Sequence, residues 1–141
     1  MGLVLDTSIL IGAERGRFDL VAFLEKEAAA VPVFLTAMTA SELLHGVHRA
    51  EGARRLRREN FVEDLLADMV ILPFDLSAAR EHARLWADLE SRGNLVGPHD
   101  LIIAAICVSQ GHKIATLNIG EFNRIPGLNL ADVAPYVSRG S

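Results

Sequence analysis

Short apolar runs alternate with longer helical patterns along the whole chain, and this alternation restricts the possible fold more than any other feature. Gly2 to Leu5 is typical of a fully buried strand. Three further strands and a weak fifth are predicted in the segments VPVFLT (31–36), VILPF (70–74), KIATL (113–117) and GLNLAD (127–132). Strands separated by helices imply right-handed crossovers. The predicted fold class is therefore α/β, a parallel four- to five-stranded sheet with helices on both faces.

The segments between the strands carry the apolar spacing of helices. A short helix to about Ala13 and an amphipathic helix ending near Ala30 are predicted between the first two strands. Two helices follow the second strand, with a break at Glu51 and Gly52. A surface helix begins near Ser77, and its apolar set comprises Ala79, His82, Ala83, Trp86 and Leu89. The segment HDLIIAAICVSQG (99–111) is apolar on nearly every side, which predicts a covered helix.

The length and composition indicate one globular domain. The 141 residues predict a single domain over 1–141 with its core at about 3–132. Half of the residues are hydrophobic, but none of the apolar runs approaches the ~20 residues that cross a bilayer. The N-terminus has no signal-peptide pattern, and Cys107 is the single cysteine. We therefore expect a cytoplasmic protein without a membrane partner.

Polar side chains interrupt the apolar pattern where strands end and helices begin. Asp6 follows the first predicted strand and Asn118 follows the fourth. In an open parallel sheet, functional groups gather outside the carboxyl ends of the strands. Asp100 lies in the first turn of the covered helix, where the helix dipole favours a negative charge, and Glu42 lies in the helix after the second strand. Asp100 alone would fit a helix cap, but three acids together indicate a site.

Acids that converge at one sheet edge require a positive charge among them. Two carboxylates ~5 Å apart in an effective dielectric of about 20 repel each other by about 3 kcal/mol. Oxygen ligands without cysteine or paired histidine select Mg²⁺, with Mn²⁺ as a substitute. Such a cation activates water for attack on phosphorus, so the expected chemistry is phosphoryl transfer or phosphodiester hydrolysis.

Several neighbouring residues have plainer interpretations. Hydroxyls next to the proposed acids can bond carboxylates or substrate phosphate, and they belong to Thr7, Ser8, Ser41 and Thr116. For Thr7 and Ser8, helix capping is at least as good an interpretation. A role in capping or loop packing is favoured over general-base catalysis for His99. The basic segment RRLRRE (54–59) is interpreted as a solvated helix face, with RNA contact as the minority alternative.

A phosphatase with Asp6 as nucleophile is a weaker hypothesis. An aspartate after the first strand also opens haloacid-dehalogenase-like phosphatases, but those need a second aspartate two positions later. Ser8 occupies that position here. The chain also lacks the glycine-rich patterns of nucleotide-binding loops.

Four motifs together resemble a known family. LDTSIL (5–10), TASELLHGV (39–47), PHDLIIAA (98–105) and TLNIGEF (116–122) are similar, in order and spacing, to the motifs of PIN-domain ribonucleases of the VapC toxin type. The resemblance extends from Leu3 to about Leu130. It implies a Mg²⁺-dependent endoribonuclease that an antitoxin holds inactive.

The resemblance also implies roles for individual residues. Asp6 and Asp100 match the aspartates that bind the metal, and Glu42 matches the acid that binds or orients metal-bound water. Asn118 occupies a fourth catalytic position that is often an aspartate, and its amide is a poorer ligand. Glu121 would compensate only if its turn points inward, and a surface or structural role is favoured for it.

The implied partners are an RNA substrate and a cognate antitoxin. The family resemblance predicts a homodimer and a heterotetramer or larger complex with the antitoxin, whose C-terminal segment would lie across the acidic groove. An arginine of that segment would replace the charge of the metal. The alternative is a PIN-fold module that binds RNA or a partner but cleaves weakly because of Asn118.

Overall fold

The computed structural model of the chain describes residues 1–138. The last three residues of the predicted domain, 139–141, lie outside the described residues. The strands are β1 (Leu3–Leu5), β2 (Val33–Thr36), β3 (Val70–Leu72) and β4 (Lys113–Ala115). The helices are α1 (Thr7–Glu14), α2 (Leu20–Glu27), α3 (Ala37–Arg49), α4 (Gly52–Asp68), α5 (Leu76–Ser91), α6 (Pro98–Gln110) and α7 (Ile119–Phe122), and a 3₁₀ turn covers Ala134–Tyr136.

All four strands pair in parallel, in the order β3-β2-β1-β4. The chain builds the sheet from β1 outward to β3 and then returns to add β4 on the other side of β1. In the register, Leu5 lies opposite Ala115. The order therefore reverses between β1 and β4, and their carboxyl ends form the switch point where open α/β sheets bind ligands.

The predicted fifth strand is reduced to one parallel bridge between Leu130 and Ile114. The Ile114 N–H donates to the Asn129 carbonyl at 3.0 Å, and the Ala131 N–H donates to the Ile114 carbonyl at 2.8 Å. The chain then turns away into the 3₁₀ turn, so it leaves the sheet before a ladder forms. Within residues 1–138 the sheet has four strands, the lower of the two numbers predicted.

Both faces of the sheet are buried, as the continuous apolar strands predicted. Leu3 and Leu5 face a core shared with α1, α2, α3 and α4, while Val4 faces a second core shared with α5, α6 and α7. This division follows from the two-residue period of a strand. In α6, residues 103–107 are completely buried between the sheet and its neighbours. The prediction of a covered helix is confirmed.

The apolar set predicted for the surface helix is wrong in part. The buried positions of α5 are Ala78, Leu85 and Leu89, whereas Trp86 is 53% exposed. Leu85 and Leu89 lie four residues apart on the side that meets α6, and Trp86 is rotated ~100° from Leu85. None of the helices in the described part of the chain is long and apolar enough to cross a membrane.

Candidate active site

The switch point between β1 and β4 holds Asp6, one of the few buried charged or polar residues of the domain. Asp6 follows β1 directly, is 3% exposed, and donates its N–H to the Ala115 carbonyl at the end of β4. The side chain also caps α1, because its Oδ2 accepts the Ser8 N–H at 3.4 Å. The aspartate is therefore anchored by both adjacent strands and by a helix N-terminus.

Two hydroxyls orient the Asp6 carboxylate. Its Oδ2 accepts hydrogen bonds from Ser8 Oγ at 2.7 Å and from Thr116 Oγ1 at 2.9 Å. Thr116 Oγ1 itself accepts the Asn118 N–H at 2.9 Å, so the hydroxyl also shapes the loop after β4. Among residues 1–138, every hydrogen bond to this carboxylate ends on Oδ2. Oδ1 remains available for a ligand.

Glu42 reaches the same edge from α3. Thr7 Oγ1 donates to Glu42 Oε1 at 2.7 Å and lies 3.1 Å from Thr39 Oγ1. Thr39 is buried and fixed in turn, because its N–H donates to Thr36 Oγ1 at the start of the helix. The glutamate is therefore held by one oxygen. Its other oxygen, Oε2, lies 3.5 Å from His99 Nδ1.

Asp100, Asn118 and Glu121 form a bonded group beside these acids. Asn118 Nδ2 donates to Asp100 Oδ2 at 3.3 Å and to Glu121 Oε2 at 2.7 Å. The Gly97 N–H donates to Glu121 Oε1. A Cβ at Gly97 would lie 3.1 Å from that same oxygen, so glycine permits the close approach of the loop. These contacts link the loop before α6 to α7.

Glu121 makes structural contacts that agree with the surface or structural role predicted for it, and these contacts also place it in the acidic cluster. Its partly buried carboxylate contacts Asp100 as well as Asn118. The signal was in the sequence: residues three apart on a helical turn share a face, so Glu121 points where Asn118 points.

Burial is the main cause that raises the pKa of Asp100 to about 7. The hydrogen bond to Glu121 and the negative charges of Asp6, Glu121 and Glu42 raise it further. The pKa of Glu121 is lowered instead, chiefly by the Gly97 N–H. Asp100 is therefore the carboxyl of this pair that binds a proton more tightly. Among residues 1–138, no Lys or Arg side chain lies within 4.0 Å of the four acids.

Of the two interpretations offered for the hydroxyls of Thr7 and Ser8, the structure favours bonding of carboxylates over helix capping. Asp6, rather than Thr7 or Ser8, caps α1, and the two hydroxyls bond acids instead. Ser41 is exposed and lies on the wall of a cavity beside Glu42. His99 does not cap a helix, and its 60% exposed ring lies against Glu42.

The donor set fits a hard divalent cation. Four carboxylates lie at this edge of the sheet, and oxygen ligands of this kind suit Mg²⁺ or Mn²⁺. Among residues 1–138, no group of three or more Asp, Glu, His or Cys side chains is arranged so that it could hold a metal ion. A Mg²⁺ ion here would therefore have one or two carboxylate ligands and several waters.

The fold and site together define an α/β protein with a cluster of acidic side chains at its switch point. The profile of the PIN domain family matches residues 3–128. The chain is 35% identical to ribonuclease VapC1 of Rickettsia felis, covering 95% of this chain and 98% of that protein. It is 32% identical to the tRNA(fMet)-specific endonuclease VapC of Salmonella typhimurium over 70% of this chain and 73% of that protein.

The fold also matches a solved toxin–antitoxin complex. The VapBC2 structure of Rickettsia felis bound to promoter DNA superposes with a TM-score of 0.85, at 26% identity over 93% of this chain and 98% of that one. The chain belongs to the PIN-domain family, among the VapC ribonucleases. PIN-domain ribonucleases are in general metal-dependent.

Proposed function

We propose that this chain is a Mg²⁺-dependent endoribonuclease and the toxin of a toxin–antitoxin pair. The observation that carries the proposal is the placement of Asp6, Glu42, Asp100 and Glu121 at the switch point, where burial and the negative charges of the other three raise the pKa of Asp100. A site with this much uncompensated negative charge is suited to a divalent cation and, through it, to a phosphate. The name of the Rickettsia felis relative supports RNA as the substrate.

Asp6 and Asp100 are the proposed metal ligands. Asp6 offers Oδ1, since its other oxygen is occupied by two hydroxyls and a backbone N–H. When bound, the cation lowers the pKa of a coordinated water and neutralises charge that develops on the phosphate. A positive charge beside Asp100 would favour its ionised form at neutral pH, because burial and the negative neighbours raise its pKa to about 7.

Glu42 is the proposed acceptor of the proton from the attacking water. Thr7 holds its Oε1, which leaves Oε2 directed toward the open side of the site. In-line attack by water yields a 5′-phosphate and a 3′-hydroxyl. The ribose 2′-hydroxyl takes no part in this chemistry, so the preference for RNA arises from the groove around the site.

Glu121 is the proposed replacement for the missing acid at Asn118. The amide of Asn118 acts as a positioning group, because its Nδ2 bridges Asp100 and Glu121. We expect Glu121→Gln to lower kcat or metal affinity by about 10–100-fold. Cleavage rates across a Mg²⁺ titration measure both effects. Glu25→Gln, which removes an exposed acid on α2, is the matched control and should cleave like the unaltered protein.

The solved relatives support a protein partner. The similar structure from Rickettsia felis is a VapBC complex, and we propose a corresponding antitoxin for this chain. An arginine of the antitoxin placed among the carboxylates would supply the positive charge that the site requires. We also propose that the chain forms a homodimer, which assembles with the antitoxin into a heterotetramer or larger complex. The proposed location is the cytoplasm.

The test is cleavage of cellular RNA by the purified, antitoxin-free protein in Mg²⁺, in Mn²⁺ and in EDTA. Discrete fragments with 5′-phosphates that disappear in EDTA are expected, and sequencing their ends identifies the substrate. If RNA stays intact with every metal but is still bound, the nuclease proposal fails. The chain is then a module that binds RNA without cleaving it, because Asn118 replaces an acid.

A further inference from the structure

A groove lined by arginines lies beside the acidic site. Its cavity of about 430 Å³ is formed where the end of α1 meets α3 and α4. The cationic side chains on its walls come from all three helices and are Arg15, Arg49, Arg54 and Arg58. The chain as a whole has a formal net charge of -4, so this groove is a local reversal of its charge.

The arginine groove adjoins the acidic site at Glu42. A neighbouring cavity of about 450 Å³ is lined by Thr7, Glu42 and His99. Glu42 and His45 line both cavities, so they mark the boundary between them. A nucleic-acid chain with one phosphate at the acids would therefore meet the arginines where it leaves the site along α3.

Most of the arginine charge in the groove is available for a ligand. Arg58 pairs with Glu14 at 3.0 Å. In residues 1–138, no carboxylate lies within 4.0 Å of the guanidinium groups of Arg15, Arg49 or Arg54. All three are exposed. Guanidinium groups bind phosphate through paired N–H donors, which makes them suited to a nucleic-acid backbone.

The basic segment of α4 divides between the groove and the solvent. Arg54 and Arg58 lie four residues apart on one face and line the groove. Arg55 and Arg57 are exposed and are not among the residues that line it. The interpretation of the segment as a solvated face agrees with the exposure of Arg54, Arg55 and Arg57, and the groove adds a second environment for Arg54 and Arg58.

We propose that the arginine groove binds the backbone phosphates of single-stranded RNA next to the phosphate that is cleaved. This inference rests on the proposed ribonuclease function and identifies the surface that would bind the RNA substrate beside the cleavage site. The acids repel a polyanion, so substrate binding needs cationic contacts close to them but outside the reacting centre. Arg49 and Arg54 supply these contacts from two helices and do not touch the acids.

The experiment compares two double variants of the antitoxin-free chain. Arg49→Gln with Arg54→Gln removes two groove charges, and Arg55→Gln with Arg57→Gln removes two charges from the solvent side of α4. The probe is a fluorescent, short single-stranded RNA, with binding measured in EDTA over a range of salt. We expect the groove variant to raise Kd about tenfold and to reduce the slope of log K against log salt by about 1.4, since each contact contributes about 0.7. The control should change Kd less than twofold.

Cleavage and an acidic peptide complete the test. In Mg²⁺ the groove variant should raise KM with kcat unchanged. Equal RNA binding by the two variants overturns the groove proposal, whether or not the chain cleaves RNA. Unchanged RNA binding with lost binding of a poly-glutamate peptide overturns it as well, because the groove then serves a protein partner. If the unaltered chain cleaves nothing but the groove variant still loses RNA binding, the nuclease function fails and the groove stands.

Discussion

Asp6→Asn is expected to reduce RNA cleavage by at least about 10³-fold and to leave the fold unchanged. The substitution removes the negative charge from the ligand oxygen, so both metal binding and the stabilisation of developing charge are lost. Asparagine caps helices about as well as aspartate, and its carbonyl oxygen can accept the bonds from Ser8 and Thr116. Single-turnover cleavage at saturating Mg²⁺ and thermal unfolding measure the two effects.

Asp6→Ala separates the structural role of Asp6 from its chemical role. Alanine removes the cap of α1 as well as the charge, and loss of such a cap costs about 1 kcal/mol. We expect equal loss of activity in both variants but a lower Tm only with alanine. Activity retained within tenfold in Asp6→Asn would show that the acid is structural and would contradict its role as a ligand.

Asp100→Asn is expected to abolish cleavage and to stabilise the metal-free protein at neutral and alkaline pH. The pKa of Asp100 is about 7 in the folded chain against an ordinary value of 3.8, so the folded state binds the proton more tightly than the unfolded state. Stability is therefore lost as the pH rises from about 4 to 7, where the unfolded chain has ionised and the folded carboxyl has not. Asparagine resembles the protonated carboxyl and avoids this loss.

The size of the Asp100→Asn effect is limited by solvent, because the carboxyl is only half-buried. After allowance for screening, we expect a gain of about 1 kcal/mol, or about 4 °C in Tm, at pH 8 in EDTA. The gain should shrink toward zero at pH 4. Added Mg²⁺ should raise the Tm of the unaltered protein more than that of the variant. A difference in Tm that does not vary with pH would contradict the assignment of the raised pKa.

The positions of Asp6, Glu42 and Asp100 were predictable from local patterns. Asp6 ends an apolar strand, and Asp100 opens an apolar helix whose burial the sequence indicated. Each position depends on nearby residues and on the rule that parallel strands end at one edge. The order of the strands was not predicted, yet any order that places β1 next to β4 brings Asp6 and Thr116 together.

The roles of the remaining groups depended on contacts between distant segments. A surface or structural role was expected for Glu121, but a single turn does not reveal that the Gly97 N–H, 24 residues earlier, holds its carboxylate beside Asp100. Trp86 was assigned to the apolar set of its helix, yet α6 packs against the neighbouring Leu85 instead.

The sequence by itself determined the alternation of strands and helices, the burial of both sheet faces and the acids at the carboxyl edge. These features follow from hydrophobic periodicity and from the residues that end each element. The tertiary structure alone decided which carboxylate oxygens remain open, that the pKa of Asp100 is raised while that of Glu121 is lowered, and which arginines of α4 line the groove. Those properties depend on distances across the fold and on burial, because desolvation and charge act between groups that the chain places far apart in sequence.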